Sequence, residues 1–217
     1  MEEVFTRAAF MIPMPHGERF NTCTHLTGLV FALAAAAVLV GEAAASADVW
    51  RLASFSVFAA TMVFLYAASA LFHGTSDMAK AAWARADHCA IYLMIAGTCT
   101  PLALVALRGV WGWSLFGLIW SAALYGIGRE LLWGRGRPPA VALYVGMGWV
   151  GMAAAILIAQ RFPADGLAWL LAGALCYTGG IVFYAKDGRW PHAHGIWHLF
   201  VLAGTASHCV ALRELLA

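Results

Sequence analysis

The chain has 217 residues, of which 63% are apolar and only 11% are charged, and its mean hydropathy is +0.77. Soluble domains usually carry about 25% charged residues, so this composition excludes an ordinary soluble globule. The formal net charge is +2 and the basic residues are scattered singly through the sequence, which excludes the clustered basic face of a nucleic-acid-binding protein.

Seven apolar stretches follow one another along the chain, separated by charged residues, Gly and Pro. A membrane-spanning helix needs roughly 20 apolar residues, and each stretch provides about that length. The sequence therefore predicts an all-α membrane protein, a seven-transmembrane helix bundle over residues 21–217, after a cytosolic segment over residues 1–20. The centres of the predicted spans lie near Ala34, Val63, Ala96, Ile119, Gly151, Ala174 and Ala203.

The distribution of Lys and Arg predicts the orientation, because positively charged loops tend to stay in the cytoplasm. One side of the predicted bundle carries nine such residues: Arg7, Arg19, Lys80, Arg85, Arg129, Arg135, Arg137, Lys186 and Arg189. The other side carries four: Arg51, Arg108, Arg161 and Arg213. This imbalance predicts a cytoplasmic N-terminus and a C-terminus outside.

Four ionisable residues lie in or at the mouth of predicted spans, where such groups are costly and therefore mark candidate functional sites. His73 ends the second span, Asp87 begins the third, and His194 and His198 begin the seventh. His194 and His198 are four residues apart, so both rings can point to one place on a helix. With the predicted orientation, all four residues lie at the same depth near the cytoplasmic face.

Three imidazoles with one open position form the ligand set of a catalytic zinc ion. One zinc ion is therefore predicted at His73, His194 and His198, with Asp87 as a general base or as a group that orients a bound water. An alternative stays open, in which the histidines only hydrogen-bond neighbouring helices. Ser69 lies one turn before His73 and either contacts the water or bonds its own helix backbone.

Further polar residues receive less definite roles. His25, with Asn21 and Glu18 before it, is predicted to support the site from outside the ligand set or to act as a lid. Glu130 is expected to pair with Arg129 or Arg135. Three other histidines are expected to lie outside the ligand set because of their angle around the helix or their distance along it: His88, His192 and His208.

These motifs together resemble the bacterial hemolysin III proteins, which belong with the progestin and adiponectin receptors to one seven-helix superfamily, related more distantly to alkaline ceramidases. The matching segments span the chain and are ERFNTCTHLTG (18–28), SALFH (69–73), DHCAIYLMIAGTCTP (87–101) and HGIWHLFVLAGTASH (194–208). The resemblance implies a seven-helix bundle in the bacterial inner membrane, with a cytosolic N-terminus.

The same resemblance implies zinc ligands at His73, His194 and His198, with Asp87 and Ser69 close to the bound water. Two positions depart from the family pattern. Cys99 stands where many bacterial members have Tyr, and Glu130 stands where Lys is frequent. Neither belongs to the implied ligand set, so they leave the choice of substrate more open than the choice of ligands.

Three functions are compatible with this pattern. The leading interpretation is a zinc-dependent hydrolase of a lipid amide or ester, with a membrane lipid as its partner. The second is a sensor or regulator of the membrane state, in which the zinc is structural. The third is a pore, for which the sequence lacks evident polar stripes along its spans. The sequence predicts no particular oligomeric state.

Overall fold

The computed structural model describes residues 17–76, 78–133, 139–157, 159, 162 and 164–216. These residues form seven α-helices and one π-helical segment, and no strand occurs among them. The α-helices are α1 (Arg19–Ala45), α2 (Val49–Gly74), α3 (Met78–Pro101), α4 (Gly109–Trp133), α5 (Val141–Leu157), α6 (Ala164–Tyr184) and α7 (Ala193–Arg213), and the π-helical segment is Leu102–Leu107. Most of the predicted cytosolic segment, residues 1–16 of 1–20, lies outside the described residues.

Six of the seven helices are long and apolar enough to cross a membrane, and α5 is shorter, with 17 residues. The prediction of an all-α, multi-pass membrane protein is therefore confirmed. The count of seven crossings and the orientation of the termini stay predictions.

Exposed apolar side chains cover the outside of the bundle. Val30 on α1, Val110 on α4 and Leu132 on α4 are 70%, 81% and 71% exposed. Phe55 and Met62 on α2 are, by contrast, fully buried. Apolar side chains thus occur both inside the bundle and on its surface, which suits a lipid environment, where an exposed apolar side chain carries no penalty.

The helices pack unevenly. α1 packs extensively along α2, α2 along α3, and α6 along α7, whereas α5 makes sparser contacts with α3, α4 and α6. Pro101 at the end of α3 has no N–H to continue the α-helical bonding pattern, and the wider π-helical segment follows it directly. Loose packing of α5 leaves a cavity of about 500 Å³ between it and α2, α3, α6 and α7.

Contacts at both ends show that α1 and α7 run in the same direction. The first turn of α1 contacts the first turn of α7, where the Asn21 carbonyl lies 3.3 Å from His198 Nδ1. Near the last turns of the same helices, Arg213 donates hydrogen bonds to Glu42. The end of the bundle that contains Asn21 and His198 is called the histidine end below, and the end with Glu42 and Arg213 the opposite end.

Candidate metal centre

Three histidines from two helices meet at the histidine end. His73 closes α2, and His194 and His198 lie on the first two turns of α7. One ring nitrogen of each lies within 4.8 Å of the other two, an arrangement that could hold a metal ion. His73 is 2% exposed and His198 is fully buried, so the group is largely shielded from solvent.

His73 is oriented by an acid from the start of α1. Its Nδ1 lies 2.7 Å from Oε2 of Glu18, and an ionised carboxylate can only accept, so Nδ1 carries the proton. Burial disfavours ionisation of the Glu18 carboxyl, but hydrogen bonds from Asn21 and His73 and the positive charge of Lys80 outweigh it, so the pKa of Glu18 lies below its usual value. Glu18 is therefore an ionised acceptor behind His73.

His194 has an equivalent partner in the turn before α7. Its Nδ1 lies 2.8 Å from Oδ2 of Asp187, which is 50% exposed. Gly188, with φ of 74°, allows the chain to turn directly after Asp187. The same reasoning puts the proton of His194 on Nδ1.

His198 is held by the first turns of α1. Its Nδ1 lies 3.1 Å from Oγ1 of Thr24 and 3.3 Å from the Asn21 carbonyl oxygen. The Thr24 hydroxyl donates its own proton to that carbonyl, so His198 Nδ1 is the donor to both oxygens. Gly195 permits this close approach, because a Cβ at that position would collide with Phe20 and Asn21.

The Nε2 atoms of all three histidines are buried, and among the described residues they have no hydrogen-bond partner. Leaving a buried acceptor unpaired costs about 1–3 kcal/mol. Metal-binding histidines commonly show this pattern, with one nitrogen on the metal and the other donating to a carboxylate or carbonyl. The residues therefore fit a metal ion held by His73, His194 and His198.

His25 completes the buried cluster from α1. Its ring stacks on that of His198, with the centroids 3.6 Å apart, and contacts Tyr66 edge-on. Both of its ring nitrogens are buried, and neither has a partner in the part of the chain that the structure describes. His25 therefore stacks on the ligand group without belonging to it, and its supporting role stays a prediction.

Asp87 and Ser69 lie close to each other in the core of the bundle. Both are buried, at 6% and 1% exposure. The Asp87 carboxyl approaches Ser69, although the Ser69 hydroxyl makes no hydrogen bond of normal length within the described residues. Asp87 is outside the ligand group but lines the same cavity as His194 and His25.

The cavity extends from this polar end along the length of α7. It reaches His208, ten residues or about 15 Å beyond His198. Most of the side chains around it are apolar, including Ile91, Met94, Val145 and Leu170. The site therefore adjoins a long apolar space of the kind that accommodates a hydrocarbon chain.

Three other histidines of the described part of the chain lie outside the ligand group, as expected: His88, His192 and His208. His192 caps the start of α7 with φ of 61°, and His208 lies 3.1 Å from the Leu170 carbonyl oxygen through Nε2. His88 is also not a ligand. It nevertheless lines the cavity together with Asp87, although the two residues are about 100° apart around the helix.

Two residues that orient the histidines were missed in the sequence. Thr24 lies inside a matching motif and Asp187 lies between α6 and α7, but the sequence pattern indicates no role for either. The signal for Asp187 was an acid seven residues before His194, across a turn with Gly188. The need of each metal-bound histidine for a second hydrogen-bond partner would have directed attention to both.

Comparisons with known proteins agree with the motifs. The model of the haemolysin-III related family matches residues 14–209. The hemolysin-3 of Bacillus cereus is 35% identical over 95% of this chain and 93% of its own length. The hemolysin-3 homolog of Bacillus subtilis is 34% identical over 86% of this chain and 88% of its own, and the human monocyte to macrophage differentiation factor is 29% identical over 90% and 83%.

Proposed function

The chain belongs to the haemolysin-III related family, and we propose that it is a zinc-dependent hydrolase of a lipid amide or ester. The proposal rests mainly on one observation. Three buried histidine nitrogens without partners among the described residues lie together, and one of these histidines, His194, lines a long, mostly apolar cavity in a membrane protein. Such an arrangement suits a lipid whose reactive carbonyl lies at the histidines and whose chain fills the cavity.

Zinc is the metal that we assign to His73, His194 and His198, because a site of three imidazoles with an open position is typical of catalytic zinc. When bound, the ion would supply Lewis-acid polarisation of the carbonyl and activation of a water molecule. The protein's own contribution begins with the fixed protonation of the three rings at Nδ1. Glu18, Asp187 and the Asn21 carbonyl hold those protons, so each Nε2 lone pair is available.

Asp87 is the residue that we assign to proton transfer. It is buried and lines the same cavity as His194. Among the described residues, no Lys or Arg pairs with its carboxyl. A carboxylate in such a place can take a proton from water during attack on the carbonyl. The hydroxyl of Ser69 is buried and has no hydrogen-bond partner among the described residues. We assign it to hold the water or the developing oxyanion.

The test is lipid hydrolysis by the zinc-loaded protein in detergent and in liposomes, against ceramides, acylated amines and phospholipids. We expect release of fatty acid, loss of the reaction on chelation, and recovery with added zinc. Replacing Asp87 by Asn should lower turnover by about 10²–10⁴-fold while zinc content and folding are kept. A wild-type protein that holds zinc and cleaves none of these lipids would contradict the proposal.

A structural zinc is the second candidate, and one observation favours it. The histidines come from α2 and α7, so an ion held between them would link two helices that are distant in sequence. In that case the protein would sense or regulate the state of the membrane without cleaving a bond. The same Asp87→Asn variant separates the two: a structural site predicts an unchanged phenotype, whereas a catalytic site predicts its loss.

We further propose seven crossings of the bacterial inner membrane, with the N-terminus in the cytoplasm. The parallel direction of α1 and α7 supports an odd number of crossings, and the excess of basic residues at the histidine end supports the orientation. A C-terminal alkaline phosphatase fusion should be active, and the matching green fluorescent protein fusion dark. The opposite result would contradict the proposed position of the C-terminus.

A further inference from the structure

A second polar cluster lies beside the metal centre, where α3, α4 and α5 converge. Its central residue is His88, and Glu130, Arg129 and Tyr144 surround it. The His88 side chain is 27% exposed and lines the cavity with Asp87. Unlike His73 and His198, which are buried, His88 therefore keeps a partly accessible ring at the polar end of the cavity.

Glu130 lies behind this ring. Its carboxylate is 1% exposed, and Oε2 lies 3.7 Å from Nδ1 of His88, too long for a hydrogen bond but close enough to stabilise a positive charge when the ring takes up a second proton. Oε1 accepts a hydrogen bond from Arg129, as the sequence suggested. A carboxylate behind one nitrogen favours the proton there and directs the other nitrogen outward, which is the arrangement of an acid–histidine pair in hydrolases.

The backbone of His88 is also held in place. The hydroxyl of Tyr144 on α5 donates to the His88 carbonyl oxygen at 3.1 Å. Its ring packs against that of Tyr92, with the centroids 4.4 Å apart. Residues of three helices therefore hold one partly accessible histidine, which follows Asp87 in the chain and lines the same cavity.

We propose that His88 is a catalytic residue that protonates the leaving group, with Glu130 as its positioning residue. This inference rests on the hydrolase function proposed above. The water oxygen bonds to the carbonyl carbon, and one water proton passes to Asp87. Asp87 passes this proton to His88 Nε2, which is free to accept it because the proton of the resting ring is on Nδ1. The bond from the carbonyl carbon to nitrogen or oxygen then breaks, and the heteroatom keeps the electron pair and takes the proton from His88 Nε2. Asp87 and His88 thereby return to their starting states, and the products are a fatty acid and an amine or alcohol.

The test compares two substrates that share an acyl chain, palmitoyl ethanolamide and p-nitrophenyl palmitate. An amine leaves only after protonation, whereas nitrophenolate leaves without a proton. For His88→Gln we expect kcat/KM to fall by about 10²–10⁴-fold on the amide and by less than about tenfold on the activated ester. Zinc content and unfolding temperature should match those of the wild type. His192→Asn is the control, a histidine change outside both clusters.

Glu130→Gln provides a second variant if His88→Gln folds poorly. It should show the same dependence on the leaving group with a smaller loss on the amide. Equal losses on both substrates, or an undiminished rate on the amide, would overturn the inference while leaving the hydrolase proposal intact. A wild-type protein that cleaves neither these two substrates nor the ceramides and phospholipids named above would overturn both proposals, so the two failures can be distinguished.

Discussion

Polar side chains occupy both ends of the helix bundle, but they find their partners in different ways. At the opposite end, Arg213 pairs with Glu42 and Arg108 pairs with Asp48 at 2.6 Å, on side chains that are 26–61% exposed. At the histidine end, the rings of His73 and His198 are almost completely buried and keep one nitrogen without a partner among the described residues.

This difference separates polar groups that only pair with each other from polar groups that are available to a ligand. Exposed ion pairs satisfy each other and contribute little, because water competes for both charges. A buried ring nitrogen that is held in one tautomer without a partner lowers the stability of the fold. Proteins keep such nitrogens where a bound ligand compensates the lost free energy. The following predictions compare the two ends, from the largest expected effect to the smallest.

The largest effect is expected from removing two ligands. The double variant His194→Ala, His198→Ala should lose the zinc, from about one ion per purified wild-type chain to background. Metal analysis of the detergent-purified proteins measures this, and His192→Asn should retain the ion. Zinc that stays bound in the double variant would mean that the histidines serve only in helix packing.

A smaller loss is expected when an outer partner is removed. Glu18→Ala should weaken zinc binding by about 10–100-fold, because the Nδ1 proton of His73 loses its acceptor. Asp187→Ala should cost less than Glu18→Ala, since Asp187 is 50% exposed and water can replace its carboxylate. Competition with a chelator measures both affinities, and an equal or reversed order would contradict the role of burial.

Gly195→Ala tests whether the close approach of α1 to α7 supports the site. The added Cβ would collide with Phe20 and Asn21, and overpacking of this kind costs about 1–3 kcal/mol. We expect a lower unfolding temperature and weaker zinc binding. Gly128→Ala on α4 is the matched control, because a Cβ there meets open space. Equal behaviour of the two variants would exclude a tight contact at Gly195.

The smallest effect is expected at the opposite end. Glu42→Gln removes the charge that pairs with Arg213, yet the pair is exposed and distant from the histidines. Zinc affinity and lipid hydrolysis should equal those of the wild type. A change in either would show that the two ends are coupled through α1 or α7.

The group of three histidines could be predicted from the sequence because its signals are local. Hydropathy marks the spans, and the four-residue spacing of His194 and His198 puts both rings on one side of α7. The order of the spans then predicts that His73 lies at the same end. These features depend on helix geometry and on the side of each loop, neither of which requires knowledge of the packing.

The outer partners and the cavity depend on the tertiary structure. Glu18 and His73 are 55 residues apart, and Thr24 and His198 are 174 apart, so their contacts arise only when α1 packs between the ends of α2 and α7. The pairing of His88 with Glu130 likewise needs the approach of α4 to α3. The sequence by itself determined an all-helical membrane protein with three candidate ligands, because apolar length and helical spacing are local properties. Only the packing of the helices decided how each histidine is oriented and what surrounds it, since those contacts join residues that are remote along the chain.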